Sequence, residues 1–410
     1  MRKYGSSFIC IVFLVGVPLL NAQLIIGQYE DEAPVMTWNI LGVTTSSSLG
    51  MGGVVLARTQ DTSCSLTNPA LLFQLPRFSF SLNYSYTAAS LFKYSLVNTG
   101  VLSSSGPIFS HIHSLDFIGA SFRIGNWATA LSYSSSQHFN RPPVDLDSES
   151  AGTTTYSMLF NQEGSIKNIN ISLSRKIFKN FSLGIGFNIH SGDWNKEITE
   201  EFFTSQTTIS DIKSMTFTGY SFIIGVALDL GNKLTLAGII RTPYTRKAEG
   251  SSLFRYQSPL GNTDIKIPSS SDNTYKMPLI AGVGLDYQLS PSLRTALDVI
   301  FFNWNKYTVT YFEETRPRDF RNVIKAGAGI EYDPLSKRTD VSMHLPIRFG
   351  VIVDPQPMNT PKSSYLYITL GTGIRWKNFQ LDIGGALGKE IGSGDSLTGK
   401  KYAVTAILFL

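Results

Sequence analysis

The sequence has few charged residues and no long apolar segment. Lys, Arg, Asp and Glu make up 16% of the 410 residues, whereas soluble domains carry roughly 25%. No stretch supplies the ~18 consecutive apolar residues that a membrane-spanning helix needs, which excludes a helical membrane protein. Aromatic residues reach 12%, so this composition favours an all-β protein in lipid. The formal net charge of +5 is too small to indicate a nucleic-acid partner.

Cysteine is also scarce, with Cys10 and Cys64 the two in the chain. Cys10 lies in the apolar run Phe8–Leu20, which follows two basic residues and precedes a cleavage site after Ala22. This arrangement predicts a signal peptide over residues 1–22 and export of the mature chain. Cleavage leaves Cys64 alone, which excludes an internal disulfide.

Segments of alternating polarity dominate the rest of the chain. In Phe78–Tyr86 the apolar side chains occupy every second position, which is typical of one strand of a membrane β-barrel. The same period of two recurs along the chain and predicts fourteen strands. They are Phe78–Tyr86, Leu115–Ile124, Trp127–Ser135, Ile166–Phe178, Phe181–His190, Met215–Leu230, Lys233–Arg241, Met277–Leu289, Leu293–Asn303, Arg321–Tyr332, Met343–Val353, Ser364–Trp376, Phe379–Gly388 and Lys401–Leu410.

The predicted connections alternate in length. Tight turns follow even-numbered strands, as at Gly125-Asn126 and Lys179-Asn180, and long loops follow most odd-numbered ones, as at Ser191–Ser214 and Thr242–Lys276. Short turns at one rim and long loops at the other are typical of outer-membrane barrels. We therefore predict an all-β fold, a 14-stranded antiparallel transmembrane β-barrel over residues 78–410. It is expected to be a monomer in the outer membrane of a diderm bacterium.

The same alternation predicts which side chains face lipid. In Met277–Leu289, Val283 and Leu285 share an apolar face opposite Gly284 and Asp286. A charge facing lipid at mid-depth costs about 2–4 kcal/mol, so the charged positions belong in the lumen, where opposite charges can pair. The predicted lumen charges are Arg294, Asp298, Lys325, Glu331, Arg348, Arg375 and Asp382.

Motifs for nucleotide, metal or catalytic sites lack their structural context. Gly-x-Gly pairs such as Gly327/Gly329 lie inside strands with no helix after them, which argues against a dinucleotide site and favours inward glycines that make room for a plug. His111 and His113 lie in a predicted loop without a third ligand, so solvated histidines are the simpler interpretation. Nothing in the sequence groups a nucleophile with a base. We predict no enzyme, no cofactor and no metal site.

One segment ahead of the first strand has a different character. Ser46–Gly53 is rich in glycine and small residues, and Asp61 lies seven residues before Asn68-Pro69-Ala70. With the strand that follows, and with Met277–Tyr307 and Phe320–Pro357 downstream, this segment resembles FadL-type outer-membrane transporters of long-chain fatty acids and other hydrophobic compounds.

The resemblance implies passive uptake of hydrophobic molecules, with outer-membrane lipids as the other partners. An N-terminal hatch, residues 23–77, is expected inside the lumen. Members of the family capture their ligand in a groove of the third and fourth extracellular loops, which implies Phe202, Phe203, Leu253 and Phe254 here. Packing of these loops on themselves is the alternative.

In the same family, basic side chains in the lumen meet the ligand carboxylate, which implies Lys325 and Arg348. The alternative is that these residues form ion pairs with Asp298 or Asp382. Movement of the hatch then opens a path, so the resemblance implies a gating role for the small residues and the turn. They are Gly50, Gly52, Gly53, Asp61, Asn68, Pro69 and Ala70.

The chain departs from the family in three places. The lead-in Gln23–Thr45 is longer and carries the acidic run Glu30-Asp31-Glu32, and Gln60 replaces the first of two acids. The third strand, WATALSYSS, has no interior glycine or proline for the kink that permits lateral exit. A general porin for polar solutes, and a surface adhesin or structural barrel, remain the alternative functions.

Overall fold

A computed structural model describes residues 44–93, 107–150, 153–311, 314–317, 319–336, 343–360, 362–392 and 397–410. The predicted signal peptide and most of the lead-in lie outside these residues. The strands are β1 Phe78–Lys93, β2 Pro107–Ile124, β3 Trp127–His138, β4 Arg141–Ser150, β5 Thr153–Phe178, β6 Phe181–Phe202, β7 Thr207–Leu230, β8 Leu234–Arg241, β9 Tyr244–Ser258, β10 Thr263–Met277, β11 Ile280–Ser290, β12 Leu293–Phe302, β13 Thr308–Tyr311, β14 Glu314–Pro317, β15 Val323–Tyr332, β16 Met343–His344, β17 Ile347–Pro355, β18 Ser364–Trp376, β19 Phe379–Ile391 and β20 Thr398–Phe409.

These segments form one closed antiparallel sheet. Six barrel strands are each interrupted once, as β8 and β9 are at Thr242-Pro243, so the 20 segments make 20 − 6 = 14 barrel strands. The sheet closes where β1 pairs with β20, for example Tyr84 with Val404. The predicted 14-stranded antiparallel barrel is therefore confirmed.

The rims differ as predicted at one end and not at the other. Tight turns at Gly125-Asn126 and Lys179-Asn180 define a short-turn rim, which confirms that prediction. The predicted loops Ser191–Ser214 and Thr242–Lys276 are wrong, because most of their residues extend the strands. The β6–β7 ladder continues in register to Phe202 opposite Thr207. Their polar composition reflects strands in water above the membrane, where pairing with neighbours satisfies the backbone.

The predicted facing is confirmed. Val283 and Leu370 are 63% and 62% exposed on the outer wall, whereas Lys325 and Arg348 are 3% and 0% exposed on the inner wall. Among the described residues, no helix is long and apolar enough to cross a bilayer.

Residues 44–77 lie inside the barrel and contact its inner wall on several sides. They include short helices at Ser46–Gly50 and Cys64–Thr67 and a 3-10 helix at Pro69–Gln74. The Ser46 amide donates to Thr405 on β20 (2.9 Å), and the Val55 amide donates to Asp298 on β12 (2.6 Å). We call residues 44–77 the hatch segment.

Inward glycines make room for the hatch segment. At each of them an added Cβ would lie within 3.0 Å of a hatch atom, so a larger residue would displace the segment. The prediction that inward glycines accommodate a plug is thus confirmed by the contacts. These glycines, which lie on eight strands, are Gly119, Gly184, Gly225, Gly282, Gly284, Gly327, Gly329, Gly350, Gly371 and Gly384.

Candidate functional site

The glycines of the hatch form its closest approach to the barrel. Gly50 ends the first short helix and packs against the backbone of Gly371. Gly52 and Gly53 have φ values of +74° and +72°, a left-handed conformation that glycine adopts at no steric cost. This turn places the Gly52 amide 3.0 Å from the Thr369 hydroxyl, to which it donates.

The Asn68-Pro69-Ala70 turn fastens the other half of the hatch. The Asn68 side chain accepts from the Ala70 amide (3.1 Å) and donates to the carbonyls of Leu56 (2.7 Å) and Val226 (3.2 Å). The Asn68 side chain therefore caps the 3-10 helix and connects it to Leu56 of the hatch and to Val226 of β7.

Asp61 joins the two halves of the hatch. It is buried and accepts hydrogen bonds from the Thr45 hydroxyl (2.7 Å) and the Ser63 amide (2.9 Å). Burial raises the pKa of Asp61, and the hydrogen bonds from Ser63 and Thr45 oppose that rise.

An ionic cluster fixes the hatch near the short-turn rim. Arg348 donates to Glu331 (2.7 Å), to Asp382 (2.7 Å) and to the Gln60 side-chain oxygen (2.8 Å). Glu331 also binds Arg58 of the hatch. Arg348 thus has two carboxylate partners. One of them is Asp382, so the predicted alternative, an ion pair between Arg348 and Asp382, is present.

Lys325 is paired as well, but at a different height. Its partner is Asp354, not Asp298 or Asp382. Arg348 lies directly opposite Glu331 near one end of the β15–β17 ladder, whereas Lys325 lies beyond Ala326 at the other end. Asp354 lies six positions after Arg348 on the same strand, which is about 20 Å at 3.3 Å per residue. Lys325 and Arg348 are therefore too far apart to meet one carboxylate.

Asp354→Asn should destabilise the barrel by about 3–5 kcal/mol, because it removes one partner of a buried ion pair. Both side chains are at most 3% exposed. Thermal unfolding in detergent measures the loss. The matched double variant Lys325→Met/Asp354→Leu should recover most of the stability, since it removes both members of the ion pair. Equal loss in both variants would contradict a charge-based origin.

Arg246 is a buried cation without a carboxylate partner. It lies on the lumen face of β9, is 7% exposed, and donates to the side chains of Gln137 (3.2 Å) and Tyr244 (3.2 Å), both neutral. Its Nε has no hydrogen-bond acceptor. Within the described part of the chain, no Asp or Glu forms an ion pair with it. Burying an ion costs several kcal/mol unless it is paired, so this guanidinium indicates a place for an anion.

Polar groups lie on the short-turn side of Arg246. The His190 ring stacks on Tyr244 with centroids 4.7 Å apart and shares a hydrogen bond with Ser221 (2.9 Å). His190 Nδ1 and Asn188 Nδ2 are buried without a hydrogen-bond partner. The wall below Arg246 therefore offers further polar atoms to a head group.

Apolar and aromatic side chains lie on the other side of Arg246, towards the long-strand rim. The Arg246 guanidinium lies 5.9 Å from the centre of the Phe217 ring. Phe217 in turn packs on Tyr275 and Phe139, with ring centroids 5.6 and 5.7 Å apart. The register places Phe217 opposite Ala248, two residues above Arg246. We call Arg246 with its polar neighbours and this cluster the Arg246 site.

The four predicted capture residues do not form one surface. Neighbouring residues of a strand point to opposite faces, so Leu253 and Phe254 are separated, with Phe254 on the side that continues the lumen wall. Phe254 lies opposite Ile267, and both are exposed. Phe202 packs on Tyr156 with centroids 5.0 Å apart, and Phe203 lies at the β6–β7 tip.

The third barrel strand carries an irregularity that the sequence did not indicate. The β3–β5 register shifts between Ser135 and Gln137, and the β2–β3 ladder ends at Phe117 opposite Ser134. Above that pair, no ladder joins β2 to β3 or β4 among the described residues. The predicted strand itself has no interior glycine or proline, and the register shift begins at its last residue, Ser135.

A Ser, a His and an Asp come together just above the end of the β2–β3 ladder. His138 Nε2 lies 3.2 Å from the Ser135 hydroxyl and 3.9 Å from Asp116, which is bound by Lys401 (2.8 Å). A catalytic relay needs the serine and the carboxylate on different ring nitrogens. Here both face the same nitrogen, so the cluster is not arranged as a hydrolase triad.

A polar cavity of about 570 Å³ opens at the short-turn rim, beneath the hatch. Its walls include Arg58, Arg294, Glu331 and Arg375. The ionic cluster around Arg348 lies between this cavity and the rest of the hatch. The hatch therefore separates a polar mouth from the apolar side of the lumen.

The family model described as BamG matches residues 40–397, most of the chain. The chain belongs to the BamG family. No curated protein sequence matches this BamG-family chain. Its fold is similar to solved structures of the toluene transporter TbuX from Ralstonia pickettii, the toluene transporter TodX from Pseudomonas putida and the monoaromatic hydrocarbon channel CymD.

These likenesses concern the fold. For TbuX the identity is 14% and the TM-score 0.60, with 90% of this chain and 100% of that chain covered. For TodX the values are 14%, 0.62, 92% and 98%, and for CymD 14%, 0.62, 90% and 98%. The predicted barrel architecture is therefore a fold that this chain shares with these transporters.

Sequence reasoning missed Arg246 and Asp354 in this BamG-family barrel. Arg246 was assigned to a loop, although it lies two residues before the inward Ala248 and therefore on the same face. Asp354 was assigned beyond the end of its strand. Extending the period-two pattern by a few residues would have placed both on the lumen face.

Proposed function

We propose that this protein is a passive outer-membrane uptake channel for hydrophobic compounds, with long-chain fatty acids as the substrate class. The observation that carries the proposal is the Arg246 site. A buried guanidinium without a counter-ion suits a carboxylate, and the adjoining aromatic cluster suits an acyl chain. The apolar end faces the rim from which an external ligand arrives.

Other features support a path through this site. Phe254, Ile265 and Ile267 expose apolar surface on strands that continue the lumen wall, and exposed apolar surface is a frequent sign of ligand capture. The opening between β2 and β3 offers lateral exit, and hatch movement offers exit into the polar mouth. TodX, TbuX and CymD carry hydrocarbons in barrels of this fold.

A structural barrel is the second candidate, and one observation favours it. The hatch touches inward glycines on eight strands and is tied to the wall by the Arg348 cluster. A plug fixed in so many places suits a permanently closed barrel. The same plug disfavours a general porin, which needs an open lumen.

Oleate binding and ion conductance of the purified protein separate these functions. The proposal expects saturable oleate binding with little conductance in a planar bilayer. Free conductance without binding of oleate or toluene would indicate a porin. Neither binding nor conductance would indicate the structural barrel, and either of these two results would overturn the proposal.

A further inference from the structure

A row of basic residues crosses the outer wall where the barrel closes. Lys400 on β20 lies opposite Ala88 on β1, and Ala88 lies opposite His111 on β2. Residues directly opposite in a sheet share a face with Cβ atoms about 5 Å apart. Lys400 and His111 are exposed, and the small Ala88 between them is buried. The predicted loop position of the histidines is wrong, since both belong to β2.

Aromatic side chains form the row beneath, towards the short-turn rim. Tyr86 lies between Tyr402 and His113, with ring centroids 6.4 and 4.7 Å away. The Tyr86 hydroxyl is 2.6 Å from His111 Nδ1, so the two rows are joined by a hydrogen bond. The tyrosines thus form a shelf under the basic groups.

A second lysine extends the basic row. Lys389 on β19 lies opposite Thr398, two residues from Lys400 on the same face, and it is exposed. Neither lysine forms an ion pair with a carboxylate among the residues that the structure describes. Within the described residues, the upper row therefore carries positive charge that no carboxylate pairs.

The patch lies at the upper border of the apolar outer wall. Leu387, directly opposite Lys400, is 54% exposed, and Val404, two residues below Tyr402, is 42% exposed. Aromatic girdles mark the membrane interface on such barrels. The charged groups are therefore at head-group height, with apolar wall below them.

We propose that this Lys–His–Tyr patch binds the phosphate-bearing head group of an outer-leaflet lipid. Its members are Lys389, Lys400, His111, His113, Tyr86 and Tyr402. The ammonium groups and the Tyr402 hydroxyl supply donors for phosphate oxygens. The acyl chains lie along Leu387 and Val404, which is why a lipid fits this position better than free phosphate. The inference is independent of the uptake function, because the patch is on the outside of the barrel.

Native mass spectrometry of the detergent-solubilised protein tests this inference, with bis-phosphorylated lipid A as the probe. Wild-type protein should bind it at least tenfold more tightly than dephosphorylated lipid A. The double variant Lys389→Gln/Lys400→Gln should lose that preference. The matched control Lys167→Gln/Lys276→Gln removes two exposed lysines elsewhere on the outer wall and should keep it.

Three results would overturn the inference. The first is equal binding of phosphorylated and dephosphorylated lipid, and the second is the same loss in the control variant. The third is displacement of lipid A by millimolar inorganic phosphate, which would indicate a site for free anions. Heat-modifiable electrophoretic mobility verifies that each variant is a folded barrel.

Discussion

Arg246→Met should weaken oleate binding by roughly tenfold to a hundredfold, since hydrogen bonds to charged groups contribute about 1.5–3 kcal/mol. The substitution preserves most of the side-chain volume and removes a guanidinium that is buried among neutral partners. The oleate affinity of Arg246→Lys should lie between those of the wild type and Arg246→Met, because an ammonium retains the charge but not the bidentate geometry. Titration of the purified protein with oleate measures the change.

Arg255→Met is the matched control for Arg246. Arg255 lies on the same strand, β9, but is exposed and paired with Asp264 at 2.9 Å. Its removal should leave oleate affinity within about twofold, as exposed ion pairs contribute about 0–1 kcal/mol. Without ligand, Arg246→Met should be at least as heat-stable as the wild type, because an unpaired buried charge is lost. Unchanged oleate affinity in Arg246→Met would contradict the assigned head-group position.

Gly329→Val should expel the hatch and turn a closed barrel into a conducting one. A Cβ at Gly329 would lie against the backbone of Met51, and backbone cannot rotate away as a side chain can. Overpacking of interiors costs about 1–3 kcal/mol even where side chains can adjust. Conductance in planar bilayers should rise from near zero to a stable open level, and hatch sites should become accessible to protease.

Gly238→Val controls for the loss of a strand glycine. Gly238 faces outward, and the atom nearest to an added Cβ there is 3.5 Å away on Val226. This variant should remain closed. If Gly329→Val also remained closed while folding as a barrel, the hatch would not be the element that seals the lumen.

The regular part of the fold follows from short-range pattern. Period-two alternation in segments such as Met277–Leu289 fixes the inner and outer faces, because a one-residue slip would place Asp286 in lipid. The tight turns were readable for the same local reason, as Gly125-Asn126 and Lys179-Asn180 join strands that end at them. Inward glycines such as Gly329 also indicated a plug before its contacts were known.

The remainder depends on partners distant in sequence. Strand segments above the membrane no longer carry an apolar side chain at every second position, so the sequence around Arg246 resembles that of a loop. The pairings of Lys325 with Asp354 and Arg348 with Glu331 depend on the register of β15 against β17, which no single strand encodes. Whether a lumen cation is neutralised is therefore a property of the closed barrel.

Uptake of radiolabelled oleate tests the central claim most directly. The host is a diderm bacterium that lacks its own long-chain fatty-acid transporter, and it displays equal surface amounts of wild-type or Arg246→Met protein. The account predicts saturable uptake with the wild type and uptake near the empty-vector level with the variant. Wild-type uptake no greater than that of the empty vector would contradict it.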